Sequence, residues 1–166
     1  MLLQDMEITI RPIEQKDNVA LAELIKTVFR EFKIDMPGTV YTDPTTDCLF
    51  ELFNTPGSKY WVAEADHKLL GGCGIYPTEG LPGKYAELVK FYLSAGSRGK
   101  GIGKELMEFS IGSARQFGYK ALYLESFPEL NRAVSMYENA GFRFIDGPLG
   151  NSGHFACNIW MLKKLG

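Results

Sequence analysis

The chain has few cysteines and histidines and no long apolar run, and each shortage removes a class of function. Cys48, Cys73 and Cys157 are odd in number, far apart and without a CxxC spacing, which gives no ground for a disulfide framework or a cysteine zinc site. His67 falls in a turn-forming stretch and His154 in a glycine-rich loop, and both are expected at the surface. No run of about 18 apolar residues occurs, and the opening MLLQDMEITIRP lacks a basic stretch followed by an apolar one. The expectation is a soluble, unexported protein of the reducing cytoplasm with no membrane partner. A net charge of −2 and a pI near 5.7 argue against nucleic acid, which is held by clustered Lys and Arg. An amine or another cationic acceptor suits this balance better.

What is present suffices for one domain over residues 1–166, since 45% of the chain is hydrophobic. Residues 6–11 alternate as a strand does, and the turn signal at 12–17 ends it. Asp17 is placed to cap a helix over 18–32, with Leu21, Leu24, Ile25, Val28, Phe29 and Phe32 on one stripe. Asp43 before Pro44 has the form of an N-cap and first-turn proline, so a second helix is expected over 44–54. Residues 60–64 and 69–76 flank Asp66-His67-Lys68 as a hairpin. Gly71, Gly72 and Gly74 in its second strand permit close backbone approach. A strand over 85–93 is followed by a glycine-rich turn and a helix with Ile102, Leu106, Phe109 and Phe117 on one face, stopped by Gly118. A strand over 121–125, a helix over 131–140 closed by Gly141, and two strands flanking DGPLGNSG complete the chain. Strand, turn, helix and strand in the second half form a βαβ unit between antiparallel hairpins. An α/β fold with a mixed sheet and helices on its faces follows.

The turn Arg98-Gly99-Lys100-Gly101-Ile102-Gly103-Lys104 carries the chemistry. Glycines let the backbone turn tightly and approach a ligand, and the free N–H groups of a helix's first turn face whatever sits there. A lone GxG is more often a turn without a ligand, but Arg98 and Lys104 add positive charge, and a pyrophosphate fits. The segment matches neither GxxxxGK[ST] nor GxGxxG, in which a glycine would replace Leu106, so ATP and NAD are poor candidates.

These residues resemble the GNAT superfamily of N-acetyltransferases, whose signature [RQ]xxGx[GA] is met by Arg98, Gly101 and Gly103. AELVKFYLSAGSRGKGIGKELM is similar to the family's fourth strand and third helix, and NRAVSMYENAGF to its later NxxAxxxYxxxGF element. The resemblance implies a mostly antiparallel sheet of about seven strands with about four helices on its faces. It also implies acetyl-CoA or a related acyl-CoA as donor, no metal, and a small-molecule or peptide amine as acceptor. Homodimers are common in the family.

The resemblance further assigns roles. The main chain at Phe91, Tyr92 and Leu93 would pair with the pantetheine arm, and N–H groups from Arg98, Gly99, Lys100, Gly101, Ile102, Gly103 and Lys104 would hold the pyrophosphate. Lys100 suits a solvated loop equally well. Asn131 would reach the cofactor, and also fits a helix cap. Tyr137 would protonate the departing thiolate, although Ala133, Tyr137 and Ala140 share a face that suits a core. Glu87 would deprotonate the amine, or else pair with Lys84 or Lys90. Glu125 and Ser126 are candidates for a polar wall of the acceptor site, Cys73 is placed in the core, and residues 29–41 and 146–154 would set acceptor selectivity. A non-catalytic acyl-CoA sensor is the alternative.

Overall fold

The computed structural model describes residues 6–166. Seven strands form one sheet: β1 (Thr9–Pro12), β2 (Lys59–Ala65), β3 (Lys68–Tyr76), β4 (Tyr85–Leu93), β5 (Ala121–Ser126), β6 (Arg143–Phe144) and β7 (Ile159–Lys164). Their order is β1-β2-β3-β4-β5-β7-β6. The β4–β5 pair is parallel and the other pairs are antiparallel. The parallel pair is joined by α3 (Ile102–Gln116), and α1 (Asn18–Glu31), α2 (Leu49–Leu52) and α4 (Asn131–Asn139) complete the helices. This is the mixed α/β sheet that the alternation of strand and helix periods predicts. Two apolar clusters form, one beneath α3 and α4 around Leu106, Leu122 and Met161, the other beneath α1 around Leu21, Ile25, Phe29 and Tyr60.

Four local expectations change. The helix over 44–54 is a 3-10 turn, Pro44–Asp47, followed after Cys48 by the single turn of α2. Asp43 does cap its start, accepting from the Thr45 N–H at 2.9 Å. Asp17 does not cap α1; its carboxylate accepts instead from the Arg11 guanidinium at 2.8 and 2.9 Å and from the Glu14 N–H at 2.8 Å. A buried carboxylate gains more from a bidentate arginine than from a lone amide. On α3 the buried stripe runs through Ile102, Leu106, Met107, Ser110 and Ala114. Phe109, at its margin, is exposed and covers Trp61 at 4.9 Å, and Phe117 lies past the last helical turn, where its ring is also exposed. Asn131 opens α4 without acting as its cap.

Candidate active site

β4 carries one residue more than β3. The register places Gly74 opposite Val89 and Gly72 opposite Tyr92, so Lys90 and Phe91 together face Cys73. One extra residue shifts the side-chain alternation by one step. Ala86 and Leu88, then Phe91 and Leu93, pack under α3 and α4, whereas Val89 and Tyr92 pack under α1. Lys90 adopts φ 52°, a conformation that a non-glycine residue holds only with outside support. Tyr60 supplies that support: its hydroxyl donates to the Lys90 carbonyl at 2.7 Å. To reach it, the Tyr60 ring lies across β3. A Cβ on Gly72 or Gly74 would come within 2.5 Å of that ring, which explains these two glycines.

Beyond the bulge, β4 leaves β5. The two strands pair at Tyr85, Ala86 and Glu87, opposite Ala121, Leu122 and Tyr123, and the parallel ladder ends there. From Leu88 onward one edge of β4 has no neighbouring strand among the described residues, so its N–H and C=O groups can be satisfied by an extended, amide-bearing ligand. Phe91, Tyr92 and Leu93 line this opening as a cavity of about 210 Å³, with Arg98, Gly99 and Met136. At its mouth Gly99 and Gly101 hold φ of 76° and 81°. The helical ladder begins at the bond from Glu105 N–H to Gly101 C=O, 3.2 Å, which leaves the N–H groups of Ile102, Gly103 and Lys104 ahead of it. Such a nest at a helix N-terminus suits a pyrophosphate. Gly103 is small because α3 starts close to β4: its Cβ would stand 3.0 Å from Leu93 and Phe91.

Arg98 does not lend its charge to this turn as expected. Its guanidinium binds both carboxylate oxygens of Glu31, donates to the Leu93 carbonyl at 3.0 Å and lies over the Phe32 ring at 5.0 Å. It therefore fastens the end of α1 to the end of β4. Arg132, which the motif reading passed over, faces the turn instead: its Nη2 is 3.9 Å from where a Gly99 Cβ would stand. Its place beside Asn131 at the start of α4 was the available signal. Asn131 and Lys104 line the adjoining groove between α3 and α4.

The titratable groups gather where β4 and β5 part. Glu87, Lys90, Glu125, Ser126, Tyr137 and His154 line a small pocket of about 40 Å³ where the strands part. Glu87 is buried, and Thr78 donates to its Oε1 at 2.6 Å. Burial first, then the charge of Glu125, pushes its carboxyl up to about 8. Tyr137 stands between the rings of Phe91 and Phe142, 5.8 and 5.9 Å away, and burial raises its phenol well above the ordinary range. It therefore stays protonated at neutral pH. Glu125 accepts from the Tyr123 hydroxyl at 2.7 Å and from the Ser152 hydroxyl, which ties the loop after β6 to β5.

That loop brings His154 inside, against the expectation of a surface residue. Its Nε2 lies 2.8 Å from Asp43 Oδ2, and both side chains are mostly buried. Burial alone would raise Asp43, but the His154 bond, the Lys90 charge and Thr45 together hold its carboxyl well below the usual range. An ionised carboxylate only accepts, so Nε2 carries the proton. His67 is exposed in the β2–β3 turn as expected. Cys73 is fully buried, and burial pushes its thiol up to about 12, unsuited to a nucleophile.

A strand edge open to an amide-bearing arm, an anion nest and a buried acid–base pair together can hold an acyl thioester and move protons beside it. Comparison with known proteins agrees. Residues 23–142 match the profile of the acetyltransferase (GNAT) family. The chain is 37% identical over 157 residues to the uncharacterized N-acetyltransferase YjgM of Escherichia coli K12, covering 94% of each protein. A GNAT-family acetyltransferase from Staphylococcus aureus Mu50 has the same fold, with a TM-score of 0.85 at 23% identity over 96% of this chain and 100% of that one. YncA of Salmonella typhimurium, solved with acetyl-CoA, aligns with a TM-score of 0.76 at 18% identity over 96% of this chain and 94% of that one. With the profile spanning most of the sequence and a relative of this similarity along nearly all of it, the chain belongs to the acetyltransferase (GNAT) family.

Proposed function

We propose that the protein is an acetyl-CoA-dependent N-acetyltransferase that transfers the acetyl group to a primary amine by direct attack. The observation that carries this reading is the parting of β4 from β5 just after Glu87, with the glycine nest at one end of the gap and Tyr137 along it. When bound, acetyl-CoA supplies an activated acetyl thioester. The free edge of β4 from Leu88 to Leu93 holds the amide-bearing arm, and the N–H groups of Ile102, Gly103 and Lys104 hold the pyrophosphate, with Arg132 and Asn131 beside them.

The acceptor enters from the α1 side. Glu87, once ionised, takes the proton of the ammonium, and the freed lone pair forms the C–N bond. As the C–S bond breaks, the bonding pair stays on sulfur and Tyr137 gives it a proton; the nitrogen, positive after attack, sheds its second proton, which restores the Tyr137 phenol. Burial suits both residues, because a carboxyl near pKa 8 is a far stronger base than an exposed one and the phenol is held protonated. Cys73 and Cys157 take no part, since burial pushes both thiols up to about 12.

Isothermal titration with acetyl-CoA, with ATP and NADH as controls, tests the donor half. Selective saturable binding is expected; equal binding of all three, or none, rejects it. Thiol release across a panel of amines tests transfer, and binding without any release would favour the acyl-CoA sensor.

A further inference from the structure

The acceptor pocket contains a lysine amino group that the transfer reaction does not use; burial lowers its hold on a proton, and the charges of Asp43 and Glu87 oppose that shift. Lys90 is 7% exposed, and its Nζ is fully buried without a hydrogen-bond partner among the described residues. Among the described residues its ion-pair partner is Asp43 Oδ2, 3.7 Å away, too long for a hydrogen bond. Asp43 is engaged elsewhere: Oδ1 accepts from the Thr45 N–H at 2.9 Å and hydroxyl at 2.7 Å, and Oδ2 faces His154 at 2.8 Å. A buried amino group with its donors unused is costly unless something completes it.

The bulge makes this placement specific. Regular alternation would put Lys90 on the α3 side, away from Glu87; the extra residue brings it to the α1 side, where both line one pocket. Lys90 and Glu87 are close enough for their charges to influence one another. An acceptor here meets a proton-accepting carboxyl and, three residues along the same strand, a buried amino group short of acceptors, which a carboxylate would both satisfy and favour in its protonated form.

Building on the transferase reading, we propose that the acceptor is a free amino acid whose carboxylate is held by Lys90 while its amine faces Glu87. A bare alkylamine leaves the Lys90 donors unanswered, and a peptide N-terminus has an amide where the carboxylate is needed. Lys90 is thus a specificity-determining residue.

The test compares matched pairs by thiol release: leucine with isopentylamine, phenylalanine with phenethylamine, and lysine with cadaverine. For at least one pair, kcat/KM for the amino acid should exceed that of its decarboxylated partner by about 100-fold, the scale expected when a site's buried polar group is left unpaired. In Lys90→Met the ratio should fall below about tenfold through a rise in KM for the amino acid, and Lys90→Arg should restore part of it. Ratios near one in the native enzyme, acetylation of other amines but of no amino acid, or a ratio that survives Lys90→Met each overturn the proposal. If Lys90→Met fails to bind acetyl-CoA, the matched pairs on the native enzyme decide alone. Failure of the native protein to bind acetyl-CoA would reject the transferase reading itself; binding without turnover of any pair rejects only the amino-acid acceptor.

Discussion

On the proposed mechanism Glu87 ties function to pH in a way that can be measured twice. Its carboxyl moves from 4.5 to about 8 on burial. Between those values the native protein keeps a proton that the unfolded chain has lost, so this residue makes stability fall as pH rises through that window. Denaturant unfolding between pH 5 and pH 9 should show that slope, and Glu87→Gln should flatten it. Activity runs the other way, because the base must be ionised: kcat/KM should climb with a midpoint near 8 in the native enzyme. Glu87→Gln should lose about 100-fold or more in kcat and the alkaline rise with it. Tyr137→Phe should lower kcat by about 100-fold with little change in acetyl-CoA affinity, which titration of the variant checks. As candidates, Tyr137 is picked out by the NxxAxxxYxxxGF element and Glu87 by its place at the start of the cofactor strand, six residues before Leu93. Lys90 and Asp43 are not, since nothing local reports that a strand slips by one residue or that His154 reaches across 111 positions to Asp43.

At the scale of elements, β3 and β4 depend on contacts that local pattern cannot express. The glycines of β3 permit close backbone approach, and at Gly71 the β4 backbone at Tyr92 and Leu93 does come that close; at Gly72 and Gly74 it is the Tyr60 ring that approaches, on its way to the Lys90 carbonyl. Tyr60→Phe leaves that buried carbonyl without its donor and should cost about 1–3 kcal/mol in chemical denaturation. Gly74→Ala should cost a similar amount for a different reason: its Cβ would meet the Tyr60 ring at 2.5 Å and the Lys59 carbonyl at 2.6 Å. Gly101 offers the contrasting case. A Cβ there meets nothing within 4 Å, yet φ is 81°, so Gly101→Ala should cost about 1–2 kcal/mol through backbone strain. Because that strain falls on the anion nest, acetyl-CoA affinity should drop as well. The break in the helix predicted over 44–54 is equally non-local. Cys48 ends the 3-10 turn, and α2 starts anew where Asn18 of α1 accepts from the Phe50 N–H at 2.9 Å.

Over the whole molecule, the order of strands and helices was readable because period and turn chemistry agree along the chain, and the cofactor segment because two motifs stand at the family's spacing. The acceptor side was not, because it is assembled from distant pieces: Asp43, the bulge in β4, the end of β5 and the loop that carries Ser152 and His154. Both apolar clusters meet β4, so a ligand that completes its free edge should stabilise the fold as a unit. Acetyl-CoA at about 100 times its Kd should add about 2.7 kcal/mol, equivalent to a rise in Tm of about 5–10 °C for a chain of this size. The most direct test of the docking mode is amide hydrogen exchange with and without acetyl-CoA. Protection should appear in β4 from Leu88 to Leu93 and at Ile102, Gly103 and Lys104; binding that leaves those amides unchanged while protecting others would contradict the account.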